Sequence, residues 1–318
     1  MGRLRGTVFA LAALLGLAGC AGTPMTDRLI GSPPSEMAQQ AELADVPFFA
    51  QTEFHCGPVA LAAALNDTGL HTTPDEIATA VYTPGRKGTL QTEILTGTRR
   101  HGRLALPVSG LKDAFDKIEQ GYPVLVLQNL ELDIAPQWHY ALLVGYDLKS
   151  EQVILRSGTT ERKLLDMNTF EHTWRRAAYW GQVFAKPGGP VPKDTKMSDW
   201  LSAAVGMQRA GREAEAEIAF RTAANHWPER AAPPISLAYL QIRNDKLEDA
   251  RLTLEDALRK EPDHPVALND LAHVLLQQGK LDEAEKTAIK AVEAGGHSAD
   301  TAKETLAEIR AELARNPR

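Results

Sequence analysis

The sequence predicts an α+β domain followed by an all-α helical-repeat solenoid, on three observations. Helical patterns dominate residues 56–120, and strand patterns fill most of residues 123–186. Helices first and a largely antiparallel sheet second is an α+β order. The run Pro187-Gly188-Gly189-Pro190-Val191-Pro192 then breaks all periodicity and marks a domain boundary. Beyond it only helical patterns remain, and they repeat every 34 residues.

The elements follow in order. Residues 1–20 carry Arg3 and Arg5, an apolar stretch over 8–17, and the ending Leu17-Ala18-Gly19-Cys20, which reads as a signal peptide with a small-residue cleavage site. The stretch is short for a membrane span. Residues 21–44 hold Gly22, Pro24, Pro33 and Pro34 among small and polar residues and predict a flexible tether. The α+β domain spans 45–187. Its first helix starts at Cys56, in Cys56-Gly57-Pro58-Val59-Ala60-Leu61. Thr73-Pro74-Asp75-Glu76 supplies an N-cap, a first-turn proline and a capping-box acid for a helix to about Tyr82.

A loop with Pro84, Gly85 and Gly88 precedes a third helix over 90–100. Residues 104–108 read as a strand, and Ser109 as the cap of a helix ended by Gly121. Strands are predicted at 123–130, 138–147, 152–156 and 179–186, with a helix over 167–176.

A linker over 188–197 leads to the repeats of 198–318. Windows of 34 residues superpose Gly211, Asp245 and Gly279; Ala216, Ala250 and Ala284; Phe220, Leu254 and Ala288; Ala223, Ala257 and Ala291; and Pro228, Pro262 and Gly296. This spacing, with Trp200 at the aromatic position, resembles the tetratricopeptide repeat over residues 198–296. The resemblance implies helix pairs whose concave groove takes a protein partner or peptide; a packing spacer is the other reading. Residues 298–314 predict a helix covering the open end of the stack.

The net charge of −6 is modest, and no basic stripe interleaved with aromatics occurs, so no nucleic acid partner is predicted. No cofactor and no metal is predicted either; a phosphate loop of the form G-x-x-x-x-G-K-[ST] is missing from the sequence.

There are two cysteines. The ending Leu-Ala-Gly-Cys resembles a bacterial lipoprotein box. That resemblance implies cleavage before Cys20, lipidation of its thiol and, with Ala21 next, sorting to the outer membrane as a lipoprotein facing the periplasm. An ordinary secretory signal or a plain membrane anchor are the alternatives. With Cys20 acylated, Cys56 has no disulfide partner within the chain.

Cys56 opens an apolar helix, where unpaired N–H groups and the positive end of the helix dipole favour a thiolate. Gln51 stands five residues earlier, so its carboxamide and the Cys56 N–H are candidate oxyanion donors. A small buried residue at a helix start is the structural alternative. A nucleophile needs a base. His226, His264, His273 and His297 lie in the repeats; His55 adjoins the cysteine; and His71, His101 and His172 have no flanking pattern. His139 heads the apolar run Trp138-His139-Tyr140-Ala141-Leu142-Leu143-Val144-Gly145-Tyr146-Asp147, either as a core residue or as a base at the end of a sheet.

The order of Gln51, Cys56-Gly57 at a helix start, and His139 at the head of a strand ending in Gly145-Tyr146-Asp147 resembles the papain-like cysteine peptidases that cut bacteriocin leaders after a double glycine. The resemblance spans residues 46–186. It implies a papain-like fold, a peptide or protein substrate, Cys56 as nucleophile, His139 as general base and later acid, and Gln51 as oxyanion donor. The family's orienting Asp is replaced by Ser157. Asp147 is about 25 Å along the strand from His139 at about 3.3 Å per residue, and belongs to the turn. A hydroxyl or carbonyl from residues 157–160 is therefore the expected orienter. Besides the envelope peptidase, two readings stand: a peptide-binding module with weak or no catalysis, and a cell-wall amidase or acyl-transfer enzyme.

Overall fold

A computed structural model describes residues 22–51, 55–86 and 88–315. The expected signal peptide, with Cys20, and residues 52–54 lie outside them. The chain forms two compact units, one of residues 1–90 and 107–183, the other of residues 91–106 and 184–318.

In chain order the elements are α1 (Pro24–Gly31), β1 (Gln40–Glu42), α2 (Cys56–Asp67), α3 (Pro74–Val81), α4 (Gln91–Arg100), β2 (Leu104–Pro107), α5 (Leu111–Glu119), β3 (Val124–Asn129), β4 (Trp138–Asp147), β5 (Gln152–Ser157), β6 (Thr160–Asp166), α6 (Met167–Arg175) and β7 (Gly181–Ala185). The repeats supply α7 (Met197–Arg209), α8 (Glu213–His226), α9 (Ala232–Arg243), α10 (Leu247–Lys260), α11 (Pro265–Gln277), α12 (Leu281–Ala294) and α13 (Ala299–Arg315). Among the described residues no helix is long and apolar enough to cross a membrane.

In the first unit the strands run in the order β7-β3-β4-β5-β6, with β1 on β4. The ladders β1–β4, β3–β4, β3–β7, β4–β5 and β5–β6 are antiparallel. Helix α2 packs on β3, β4 and β5. It is almost uniformly apolar and small, with Leu61 and Leu65 fully buried, each adding about 2 kcal/mol of burial. Its second residue must be glycine: an added Cβ on Gly57 would stand 2.7 Å from Thr89 Cβ. In α3 the capping box forms as the sequence predicts. Thr73 Oγ1 accepts from the Glu76 N–H at 3.3 Å, and the Thr73 N–H donates to Glu76 Oε2 at 2.8 Å.

Three expectations are corrected. Residues 21–44 are no tether over the described part. Helix α1 buries Thr26 and Leu29, and its Met25 and Thr26 N–H groups donate to the fully buried Glu171 carboxylate at 3.1 and 2.7 Å. This satisfies helix-start donors that local sequence leaves open, so the acid lies 145 residues away and proline and glycine counts miss it. Strand β6 was not anticipated, because Glu161, Arg162 and Lys163 mask the alternation; charge is how an edge strand avoids further pairing. The α5 cap is Gly110 at φ 100°, while Ser109 bonds to Asp113.

In the second unit the 34-residue columns become the core: Ala216, Ala250, Ala284, Phe220, Leu254 and Ala288 are fully buried. Trp200 is buried as well, its Nε1–H donating to Ala219 O at 2.8 Å. The turn column takes left-handed backbone, φ 80° at Gly211 and 72° at Gly279, with Asp245 at 56° as the non-glycine member. Helix α13 occupies the tail as expected, with Ala302 and Ile309 fully buried. Helix α4 packs on α7 within this unit, where Gly206 lets Arg99 lie against the helix backbone; a Cβ there would be 2.3 Å from Arg99 Nε.

Candidate functional site

Cys56 is the first residue of α2, after His55, whose ring stacks on Tyr82 at 4.8 Å between centroids. It is a half-buried free thiol. The backbone amides of Tyr140, Gly57 and Cys56 itself favour its thiolate, but desolvation is the largest influence and pushes the thiol above its ordinary value. This corrects the expectation of a readily ionised cysteine: the helix start acts in the expected direction, and burial outweighs it. The Tyr140 amide also places the sulfur beside β4 at the residue next to His139, a link no side-chain pattern in the sequence reveals.

His139 is the second residue of β4, paired with Gln128 on β3. Its Nε2 lies 2.9 Å from Ser157 Oγ, at the end of β5. The β4–β5 ladder brings the two together, since Leu142 faces Arg156 and the strands continue toward His139 and the turn after Ser157. Nε2 being engaged, Nδ1 is the nitrogen left to exchange a proton with a thiol. Burial, with a smaller contribution from Lys163, pushes His139 down to about 4, so the imidazole is neutral at neutral pH. Both directions favour a thiol and a neutral imidazole over a preformed ion pair.

Gln51 is tied to the same corner by its backbone: its N–H donates to Gly158 O at 3.0 Å. Gly158 has φ 62°, the left-handed conformation the tight Ser157–Thr160 turn requires. Ser157 is buried. Asp147 is the last residue of β4 and caps the turn that follows, its Oδ1 accepting the Lys149 and Ser150 N–H groups at 2.9 and 3.2 Å.

Arg156 went unremarked in the sequence. It is 6% exposed, and its guanidinium donates to Val46 O at 3.3 Å, Ala44 O at 2.8 Å and Glu161 O at 2.7 Å. It thus fixes the segment leading to Gln51 against the β5–β6 turn that carries Ser157. A lone arginine inside Val153-Ile154-Leu155-Arg156 was the available signal. Among the described residues no group of three or more His, Cys, Asp or Glu side chains is arranged to hold a metal.

Comparison with known proteins bears on both units. Residues 43–181 match the Peptidase_C39 like family, and residues 253–300 match the tetratricopeptide repeat. A 112-residue stretch is 32% identical to cellulose synthase operon protein C of Pseudomonas fluorescens, covering 34% of this chain. The chain spans only 9% of that relative's length. Among solved structures, a C39-like peptidase from Bacillus anthracis aligns at TM-score 0.39 and 17% identity, over 47% of this chain and 98% of its own. The Yersinia enterocolitica secretion chaperone SycD, in complex with a peptide of YopD, aligns at TM-score 0.34 and 17% identity, over 36% of this chain and 93% of its own. The chain therefore carries a Peptidase_C39-like domain over residues 43–181 and a tetratricopeptide-repeat region over residues 253–300.

Proposed function

We propose that the first unit is a cysteine peptidase, with the Cys56 sulfur attacking the carbonyl carbon of a peptide bond. The observation that carries this reading is the convergence on one sheet corner of a helix-start thiol, a histidine held through Nε2 by Ser157, and the Gln51 segment. His139 Nδ1 takes the thiol proton as the C–S bond forms, then delivers it to the leaving amine. Water, deprotonated by the same nitrogen, hydrolyses the thioester. The Gln51 carboxamide and the Cys56 N–H donate to the oxyanion. Ser157 orients the imidazole but, being neutral, stabilises the imidazolium less than a carboxylate does. Modest turnover follows.

The repeats recruit a substrate or partner protein through their concave groove, and a lipid on Cys20 holds the chain at the outer membrane, facing the periplasm. Ser157 favours a second reading, a peptide-binding module with little catalysis. A third keeps the thiol but opens cell-wall amides. Incubating the chain with a mixed peptide library and with muropeptides, followed by mass spectrometry, separates the three. Peptide cleavage abolished by Cys56→Ala supports the peptidase; cleavage of muropeptides alone supports the amidase; binding without cleavage supports the module.

A further inference from the structure

Between β3 and β4, residues 130–138 expose an unusual amount of apolar surface: Leu132 is 60% exposed, Ile134 91% and Trp138 52%. The loop is braced from beneath. Asn129, 1% exposed, accepts the Glu131 and Gln137 N–H groups at 3.2 and 3.0 Å, and the Leu130 N–H donates to Gln137 O at 2.9 Å. A loop held this way presents its apolar side chains as a fixed edge.

Two consecutive arginines tie the foot of that loop and the start of the described chain to one helix end. Arg176 Nη1 donates to Asn129 O at 3.4 Å, at the foot of the loop, and Arg175 Nη1 donates to Gly22 O at 2.8 Å. The foot of the loop and the start of the described chain are thus held by adjacent residues at one helix end, on the same unit. Cys20 is two residues before Gly22, a reach of about 7 Å for extended chain. Thr23 Oγ1 bonds to Asn168, and the Met25 and Thr26 amides bond to Glu171, so the chain is held to the body from Thr23 onward.

We propose that residues 130–138 form a bilayer-facing edge of the first unit, with Leu132, Ile134 and Trp138 entering the headgroup–acyl boundary next to the lipid on Cys20. The inference rests on the lipid-anchor reading above. Tryptophan suits the headgroup–acyl interface, and exposed apolar side chains beside it add buried area there. The consequence for function is direct: His139 follows Trp138, so the candidate site works at the membrane surface.

The test uses the full chain purified from host membranes, its N-terminal mass recorded, in phosphatidylethanolamine/phosphatidylglycerol vesicles brominated on the acyl chains. Tryptophan emission should fall on brominated relative to plain vesicles. Trp138→Phe should remove that quenching, and Leu132→Ser with Ile134→Ser should reduce it at least twofold. Both variants change exposed positions and keep the fold. An acylated, vesicle-bound chain showing no quenching, or equal quenching in Trp138→Phe, overturns the proposal. So does a Leu132→Ser/Ile134→Ser chain that keeps full quenching yet loses cleavage of a soluble peptide library, which assigns the loop to substrate. A mass without acyl groups sinks the anchor reading itself and the proposal with it.

Discussion

His139 Nε2 and Ser157 Oγ stand 2.9 Å apart across neighbouring strands, a histidine held by a hydroxyl where a carboxylate would hold it more strongly. Ser157→Asp tests what the hydroxyl costs. A carboxylate beside the ring raises the imidazole pKa by about 1–2 units and, through the imidazolium, favours the Cys56 thiolate. Iodoacetamide alkylation of Cys56 at pH 6.5 should accelerate about tenfold. Ser157→Ala should leave that rate no higher than wild type.

The pH profile of alkylation in the unaltered protein has its own signature. Burial raises the Cys56 thiol and pushes His139 down to about 4. The alkylation rate should therefore climb with pH and reach half its limit above the free-thiol value of about 8.5. A plateau already reached at pH 6 would mean a preformed thiolate–imidazolium pair and contradict these directions.

Gly57 has a packing reason to follow the cysteine. In Gly57→Ala the new methyl meets Thr89 at 2.7 Å, and the clash should cost about 1–3 kcal/mol, read as a lowered Tm. Thr89→Gly in the same chain should restore most of the loss. An unchanged Tm in the single variant would show that Thr89 yields freely.

Glu171 should control how firmly the N-terminal segment is held. Glu171→Ala leaves the Met25 and Thr26 amides without their acceptor and should cost about 2–3 kcal/mol. Trypsin should then cut faster at the exposed Arg28, with a smaller effect in Glu171→Gln. Equal cutting in all three proteins would mean that the segment is held by other contacts.

The legible parts of the sequence were those with local causes. The Thr73–Glu76 capping box, the apolar run after Cys56 and the 34-residue columns specify their elements within a turn or a repeat, and they appear where the pattern puts them. The illegible parts depend on distant partners. Helix α1 needs Glu171, the segment before Gln51 needs Arg156, and β6 pairs with β5 despite its charges. At the site, residue types were readable, but the net ionisation of Cys56 was not. Helix position and burial oppose each other there, and only the packed structure gives the depth of burial.

The proposed mechanism makes Cys56 a nucleophile assisted by His139. An electrophilic, peptide-based probe for cysteine peptidases tests it most directly, applied to the wild-type chain and to His139→Ala, with the labelled residue mapped by mass spectrometry. Labelling is expected at Cys56 in wild type and at least tenfold more slowly in His139→Ala, with an unchanged Tm. Equal labelling of both proteins, or none in wild type, would contradict it.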